Sequence, residues 1–145
     1  MRHHLAAPAA DPVEAASGVV ALHATDPASV FLSVYARTAR LGVDAIERAL
    51  YDERSLLRML GMRRTMFVVP VELAATVQAA CTNAIAVTER RRLVAHLRQG
   101  GAGDEAWLAE VEEGTLNALA RRGSATAAQL SSHEPRLRTQ LLMAE

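Results

Sequence analysis

Between Leu56 and Pro70 the sequence abandons the helical spacing that governs its neighbours, and that break constrains the fold more than any other feature. Leu56-Leu57-Arg58-Met59-Leu60-Gly61-Met62 reads as a strand, Arg63-Arg64-Thr65 as a turn, and Met66-Phe67-Val68-Val69 as the returning strand. Pro70 stops the ladder, because it has no N–H to donate. The turn lacks the Asn-Gly pair that marks the tightest hairpins.

Helices lead up to this hairpin. Asp11-Pro12-Val13-Glu14 combines a capping side chain, a proline at the first helical position and a capping-box acid. The helix is predicted to run to about Leu22, with Val13, Ala16, Val20 and Ala21 facing inward. Asp26-Pro27 repeats the signal ahead of a helix over 27–39, where Val30, Phe31 and Val34 share a face. Only His23-Ala24-Thr25 links the two. A third helix spans Asp44–Tyr51, with Ile46, Ala49 and Leu50 apolar. Three helices followed by a hairpin is the order of a winged-helix module, with the hairpin as its wing.

Half of the residues are apolar but only 3% are aromatic, so the core must be built from Ala, Leu, Val and Met. Alanine is the best helix former, and such a core suits close-packed helices. The expected class is mostly α with a small β-hairpin (α+β), arranged as tandem winged-helix, or helix-turn-helix, modules.

Beyond Pro70 the chain is predicted helical from Val71 to Gln99, with a break near Thr82-Asn83, and Gly100-Gly101-Ala102-Gly103 reads as a linker. It divides a first module with its long following helix (1–99) from the beginning of a second (104–145). Asp104 caps a helix whose stripe is Trp107, Leu108, Val111, Leu116 and Leu119, and Gly123 ends it. Ser124-Ala125 reads as a short strand, Thr126 as the cap of a helix over 127–131, and Pro135 as the start of another through Leu137, Leu141 and Leu142. No second wing follows before Glu145, so the second module is read as truncated.

Formal net charge is zero, so overall charge makes no case for a nucleic-acid partner. All 16 basic residues are Arg. Coding bias explains that most simply, yet the guanidinium fork still suits phosphate and groove contacts. A single cysteine, Cys81, excludes an internal disulfide and reads as core packing, and no Cys/His set has zinc-ligand spacing. His3-His4, His96 and His133 belong to no constellation. Neither a metal nor a cofactor is expected. The N-terminal MRHHLAAPAADP lacks the uninterrupted apolar run of a signal peptide, and no stretch approaches 18 consecutive apolar residues. A cytoplasmic location away from membranes is the expectation.

Three stretches carry a family resemblance: Ala21-Leu22-His23-Ala24-Thr25-Asp26-Pro27, then Leu57-Arg58 through Met62-Arg63-Arg64-Thr65, then Phe67-Val68-Val69-Pro70. Together they resemble the winged-helix DNA glycosylases of the AlkZ/YcaQ-like family, large bacterial proteins of tandem winged-helix modules. A weaker likeness around Ser124–Leu130 and Pro135-Arg136-Leu137 matches the start of the family's second module. The resemblance implies excision of alkylated or crosslinked bases from double-stranded DNA. It makes His23 and Thr25 the candidate catalytic pair, in place of a Gln-apolar-Gln or Gln-apolar-Asp triplet. It makes Arg63, Arg64 and Thr65 the hairpin tip that enters the minor groove, although Arg64 stands where the family usually has Gly. Arg58 and Met62 join this DNA-contacting set, and Met62 or Met66 can act as an apolar wedge. Arg136 and Arg138, on what would be the second module's recognition helix, complete it.

An N-alkylated purine is already a good leaving group, so aligning one water can suffice. His23 can accept its proton, with an unperturbed pKa of about 6.5. Thr25 can orient the same water, and an extended link puts residues i and i+2 on one side. Asp26 nearby would favour the protonated imidazole. Each residue also has a plainer reading. His23 fits the negative end of a helix, Thr25 a turn, and Asp26-Pro27 a helix start. Arg63-Arg64 reads equally as a solvated tip, and Glu89-Arg90-Arg91-Arg92 as a solvated helix face. Arg136 and Arg138 stand two apart, so at most one points at a phosphate. Beside a glycosylase stand two other classes: a non-catalytic DNA-binding regulator, and a helical scaffold for protein partners.

Overall fold

Both Asp-Pro pairs start helices by the same mechanism. In the computed structural model, which describes residues 3–141, the Asp11 carboxylate accepts from the Glu14 backbone N–H ahead of α1 (Pro12–Ser17). Asp26 accepts from the Ala28 N–H ahead of α2 (Pro27–Tyr35). Each carboxylate satisfies a donor that no helical carbonyl reaches.

Helix α1 closes at Ser17, short of the expected Leu22. Val20 turns outward with a left-handed φ of 71°. Leu22–His23 then forms a short strand, β1. Helix α2 likewise ends early, at Tyr35 rather than 39. Helix α3 (Val43–Glu47) continues into a π-helical turn at Arg48–Asp52.

The hairpin lies where the change of spacing placed it, as β2 (Leu56–Leu60) and β3 (Met66–Pro70). The three strands make one antiparallel sheet in the order β1-β3-β2. Leu22, Val68 and Arg58 align across it, as do His23, Phe67 and Met59. Side chains aligned in this way share a face.

The Leu22–Val68 face is the core face. It packs with Ala15 and Ala16 of α1, Val30 and Val34 of α2, and Ile46 and Ala49 from α3 and the turn after it. Ile46, Val34 and Val68 are almost wholly buried, each contributing about 1.5–3 kcal/mol through its buried apolar surface. Ala15, Ala16 and Ala24 are completely covered. Their small side chains allow helix and link to approach the sheet closely, which is how so few aromatics suffice.

The chain divides into two compact units, Met1–Ala86 and Val87–Glu145. The division falls within a continuous helical run: α4 (Val71–Val77), a π-helical turn at Gln78–Thr82, and α5 (Asn83–Gln99). The π-helical turn occupies the place where the sequence predicted a break. By length and composition, Val71–Gln99 is long and apolar enough to cross a bilayer, although no 18 of its residues are consecutively apolar.

In the second unit, Asp104 caps α6 (Glu105–Arg122) through the Trp107 N–H, and Gly123 closes it with a φ of 74°. Leu108, Val111 and Ala118 form its buried stripe, while Leu116 points to solvent. Thr126 and Gln129 form a reciprocal capping box on α7 (Ala127–His133). Two expectations fail here. Ser124-Ala125 is not a strand, and the helix expected from Pro135 is a single 3-10 turn, Pro135–Arg138. The Glu134 side chain caps that turn, and Thr139 leaves it with an extended ψ of 122°. Leu142, expected on this helix, lies outside the described residues. Among the described residues the chain is mostly α with one small antiparallel sheet.

Candidate nucleic-acid interface

The hairpin is closed by a tight turn without glycine at its centre. The Thr65 N–H donates to the Met62 carbonyl at 3.1 Å, and the Gly61 N–H to that of Thr65 at 2.9 Å. Between them Arg63 and Arg64 have φ of 56° and 59°. Positive φ at both central positions is the type I′ arrangement, whose twist matches that of the strands. Asn-Gly normally fills it, and an ordinary L-residue is strained there by about 1–2 kcal/mol. Met62, Arg63 and Arg64 are exposed and Thr65 is half-buried. The turn thus presents two guanidinium groups beside an exposed thioether.

His23 is exposed on β1. Its imidazole meets the Phe67 ring edge-on, with centroids 5.7 Å apart and planes at 82°. Phe67 in turn lies against Gly61, where an added Cβ would come within 2.8 Å of Cδ2. Gly61 has an ordinary negative φ of −132°, so what it supplies is room for the aromatic ring. Below the turn lies an apolar groove of about 300 Å³, bordered by Val20, Gly61, Met62, Phe67, Val77 and Cys81. Cys81 is half-buried at this groove, with its thiol donating to the Val77 carbonyl at 3.2 Å. Thr82, in the π-helical turn, donates from its hydroxyl to the Leu60 carbonyl at 2.6 Å and ties β2 to the helix.

The link between β1 and α2 is held on both sides. Ala24 donates its N–H to the Met66 carbonyl at 2.8 Å. Its own carbonyl accepts from Arg58 Nε and Nη2 at 3.3 and 3.1 Å. Arg58, expected at DNA, is exposed and spends Nε and Nη2 on this carbonyl. Thr25 is exposed, and the Asp26 carboxylate is occupied with the Ala28 N–H at 3.0 Å. His23, Thr25 and the turn thus belong to one small sheet and its link.

In the second unit Arg136 is engaged by two acidic side chains. It donates from Nε and Nη2 to the two oxygens of buried Glu134, at 2.8 and 2.9 Å, and from Nη1 to Glu110 at 3.2 Å. Hydrogen bonds from Arg136 hold the Glu134 carboxyl below its ordinary range, and those to Glu134 hold Arg136 above its own. Arg138 donates from Nε to the Ser131 hydroxyl at 3.0 Å and is exposed. Two of the three arginines in the run Glu89–Arg92 are paired with carboxylates. Arg90 pairs with Glu112 and Glu105, and Arg92 with Glu89. Among the described residues no three His, Cys, Asp or Glu side chains gather as a metal site would require.

Sequence reasoning missed three features: strand β1, the Phe67 contact and the Arg58 fork. Two residues are too few to show alternation, and the Arg58–Ala24 contact spans 34 positions that no local pattern reports.

A family model of the AlkZ-like DNA glycosylases matches residues 16–143, covering β1, the hairpin and nearly all that follows. The chain belongs to the AlkZ-like DNA glycosylase family. No curated protein and no solved structure matches it. Membership of the AlkZ-like family makes DNA repair the field of action and DNA the partner. The hairpin turn carries Arg63 and Arg64 side by side and exposed.

Proposed function

We propose that this AlkZ-like chain excises alkylated or crosslinked bases from double-stranded DNA, using a winged-helix module whose wing is the β2–β3 hairpin. The Ala24–Met66 hydrogen bond carries this reading, because it ties the candidate catalytic link to the arm that bears Arg63 and Arg64. His23 lies opposite Phe67, two residues past Thr65, or about 7 Å along an extended strand. A side chain at the groove and one at the sugar can then serve the same nucleotide.

In the proposed step a water oxygen attacks the sugar C1′. The N-glycosidic bond breaks with its electron pair passing to the cationic base, which leaves neutral. His23 takes the water proton, and the Thr25 hydroxyl orients the water. Arg63 and Arg64 follow the negative potential of the minor groove while Met62 supports the unstacked step.

His23 and Thr25 in place of the family's glutamine-containing triplet favour one competing reading, a DNA-binding regulator without excision. Both readings are tested by measuring duplex affinity against salt together with release of free base from N7-alkylated DNA. The excision reading expects affinity to fall steeply between about 50 and 200 mM salt, with base released. Binding with no release leaves the regulator, and salt-independent binding removes both.

A further inference from the structure

Arg58 leaves β2 on the face shared with Val68 and Leu22, its aligned neighbours on β3 and β1. Its guanidinium passes β3 to reach the link beyond a strand with which β2 is not paired. Two strand spacings separate β2 from β1, roughly 10 Å, a span suited to Arg or Lys. Nε and Nη2 converge on one acceptor, the Ala24 carbonyl, at 3.3 and 3.1 Å. A rigid fork can do this, whereas an ammonium donates as a point.

The Ala24 side chain is fully buried and its N–H is held by Met66. Both peptide groups of Ala24 are thereby fixed, one by β3 and the other by Arg58. The first joins it to His23 and the second to Thr25, so the direction of each side chain depends on these two anchors. Met66 supplies an ordinary ladder bond. Arg58 supplies the second anchor where the strand has ended and no ladder bond is available.

We propose that Arg58 is a positioning residue for base excision, holding the His23–Ala24–Thr25 link so that both side chains address one water. This rests on the excision reading above. A small displacement of reacting groups is enough to slow a positioned reaction about 100-fold.

The test compares the full chain with Arg58→Met, which keeps the stem and loses the fork, and Arg58→Lys, which restores charge and a point donor. Three readouts are taken on each: single-turnover base release from N7-alkylated duplex, duplex Kd across salt, and amide hydrogen exchange at Ala24. Arg58→Met is expected to slow release roughly 10–100-fold with Kd changed less than about threefold, and to speed exchange at the Ala24 amide. Arg58→Lys recovers part of the rate, and it answers the same question should Arg58→Met fail to fold. A folded variant with wild-type release overturns the proposal. So does a loss of affinity that matches the loss of rate with a shallower salt slope, which would make Arg58 a phosphate contact. If the wild-type chain releases no base, the excision reading fails on its own. Exchange then decides whether Arg58 holds the link: faster exchange in Arg58→Met supports the anchor, and unchanged exchange overturns it.

Discussion

The ring of Phe67 stands edge-on to the imidazole of His23, 5.7 Å between centroids, and occupies the space that Gly61 leaves beside it. One aromatic side chain thus connects the base of the turn to the candidate catalytic histidine. Gly61→Ala would bring a methyl group to 2.8 Å from the Phe67 ring. It is expected to destabilise the protein by about 1–3 kcal/mol and to slow any base release by moving His23. The cost should shrink in a Phe67→Leu background. Denaturant melts of the two single variants and the double variant measure this coupling, and additive losses would show that ring and glycine do not interact.

At the turn, backbone strain and the proposed recognition oppose each other. Arg63 and Arg64 both hold positive φ, which Asn-Gly tolerates far better. Replacing Arg63-Arg64 by Asn-Gly is expected to stabilise the fold by roughly 1–2 kcal/mol while weakening duplex binding. The salt slope of that binding should fall by about two charges. Thermal melts and anisotropy titrations check the two halves separately. Higher stability with unchanged binding would remove the turn from the interface.

The limits of legibility follow from range. Leu56–Pro70 announced its strands through its altered spacing and its terminal proline, and the helix starts at Asp11, Asp26, Asp104 and Thr126 through local capping chemistry. Helix ends were read less well. Val20 sits at helical spacing, yet α1 has already closed at Ser17, and Val20 is exposed with a left-handed φ. Where a helix was expected from Pro135 the chain makes a 3-10 turn, in which the Glu134 carboxylate accepts from the Arg136 backbone N–H and guanidinium and occupies the room that Gly114 leaves. Of the candidate site, the exposure of the turn matched a sequence-based reading, whereas the strand that carries His23 was not foreseen. The engagements of Arg58 and Arg136 depend on side-chain orientation and tertiary contacts that sequence spacing does not report.

Acid should loosen the second unit through two carboxylates. Arg136 holds Glu134 below its ordinary 4.5, and the Trp107 backbone N–H holds Asp104 below its ordinary 3.8. A carboxyl lowered in the folded state contributes stability that is present above its unfolded value and is lost as pH falls through the folded one. The Tm is therefore expected to hold near neutrality and to decline below about pH 4.5. Glu134→Gln should lower Tm near neutrality and flatten that decline, as a pH series of thermal melts would show. An equal decline in the variant would assign the acid sensitivity elsewhere.

Binding and chemistry are separable in this account, because the turn grips the duplex while His23 acts on water. The most direct measurement is single-turnover release of free base from N7-alkylated duplex by the full chain, set beside duplex Kd for the wild type and His23→Ala. The account predicts release by the wild type, at least about a 100-fold slower reaction in His23→Ala, and nearly equal Kd values. No release by the wild type, or equal release by both, would contradict it.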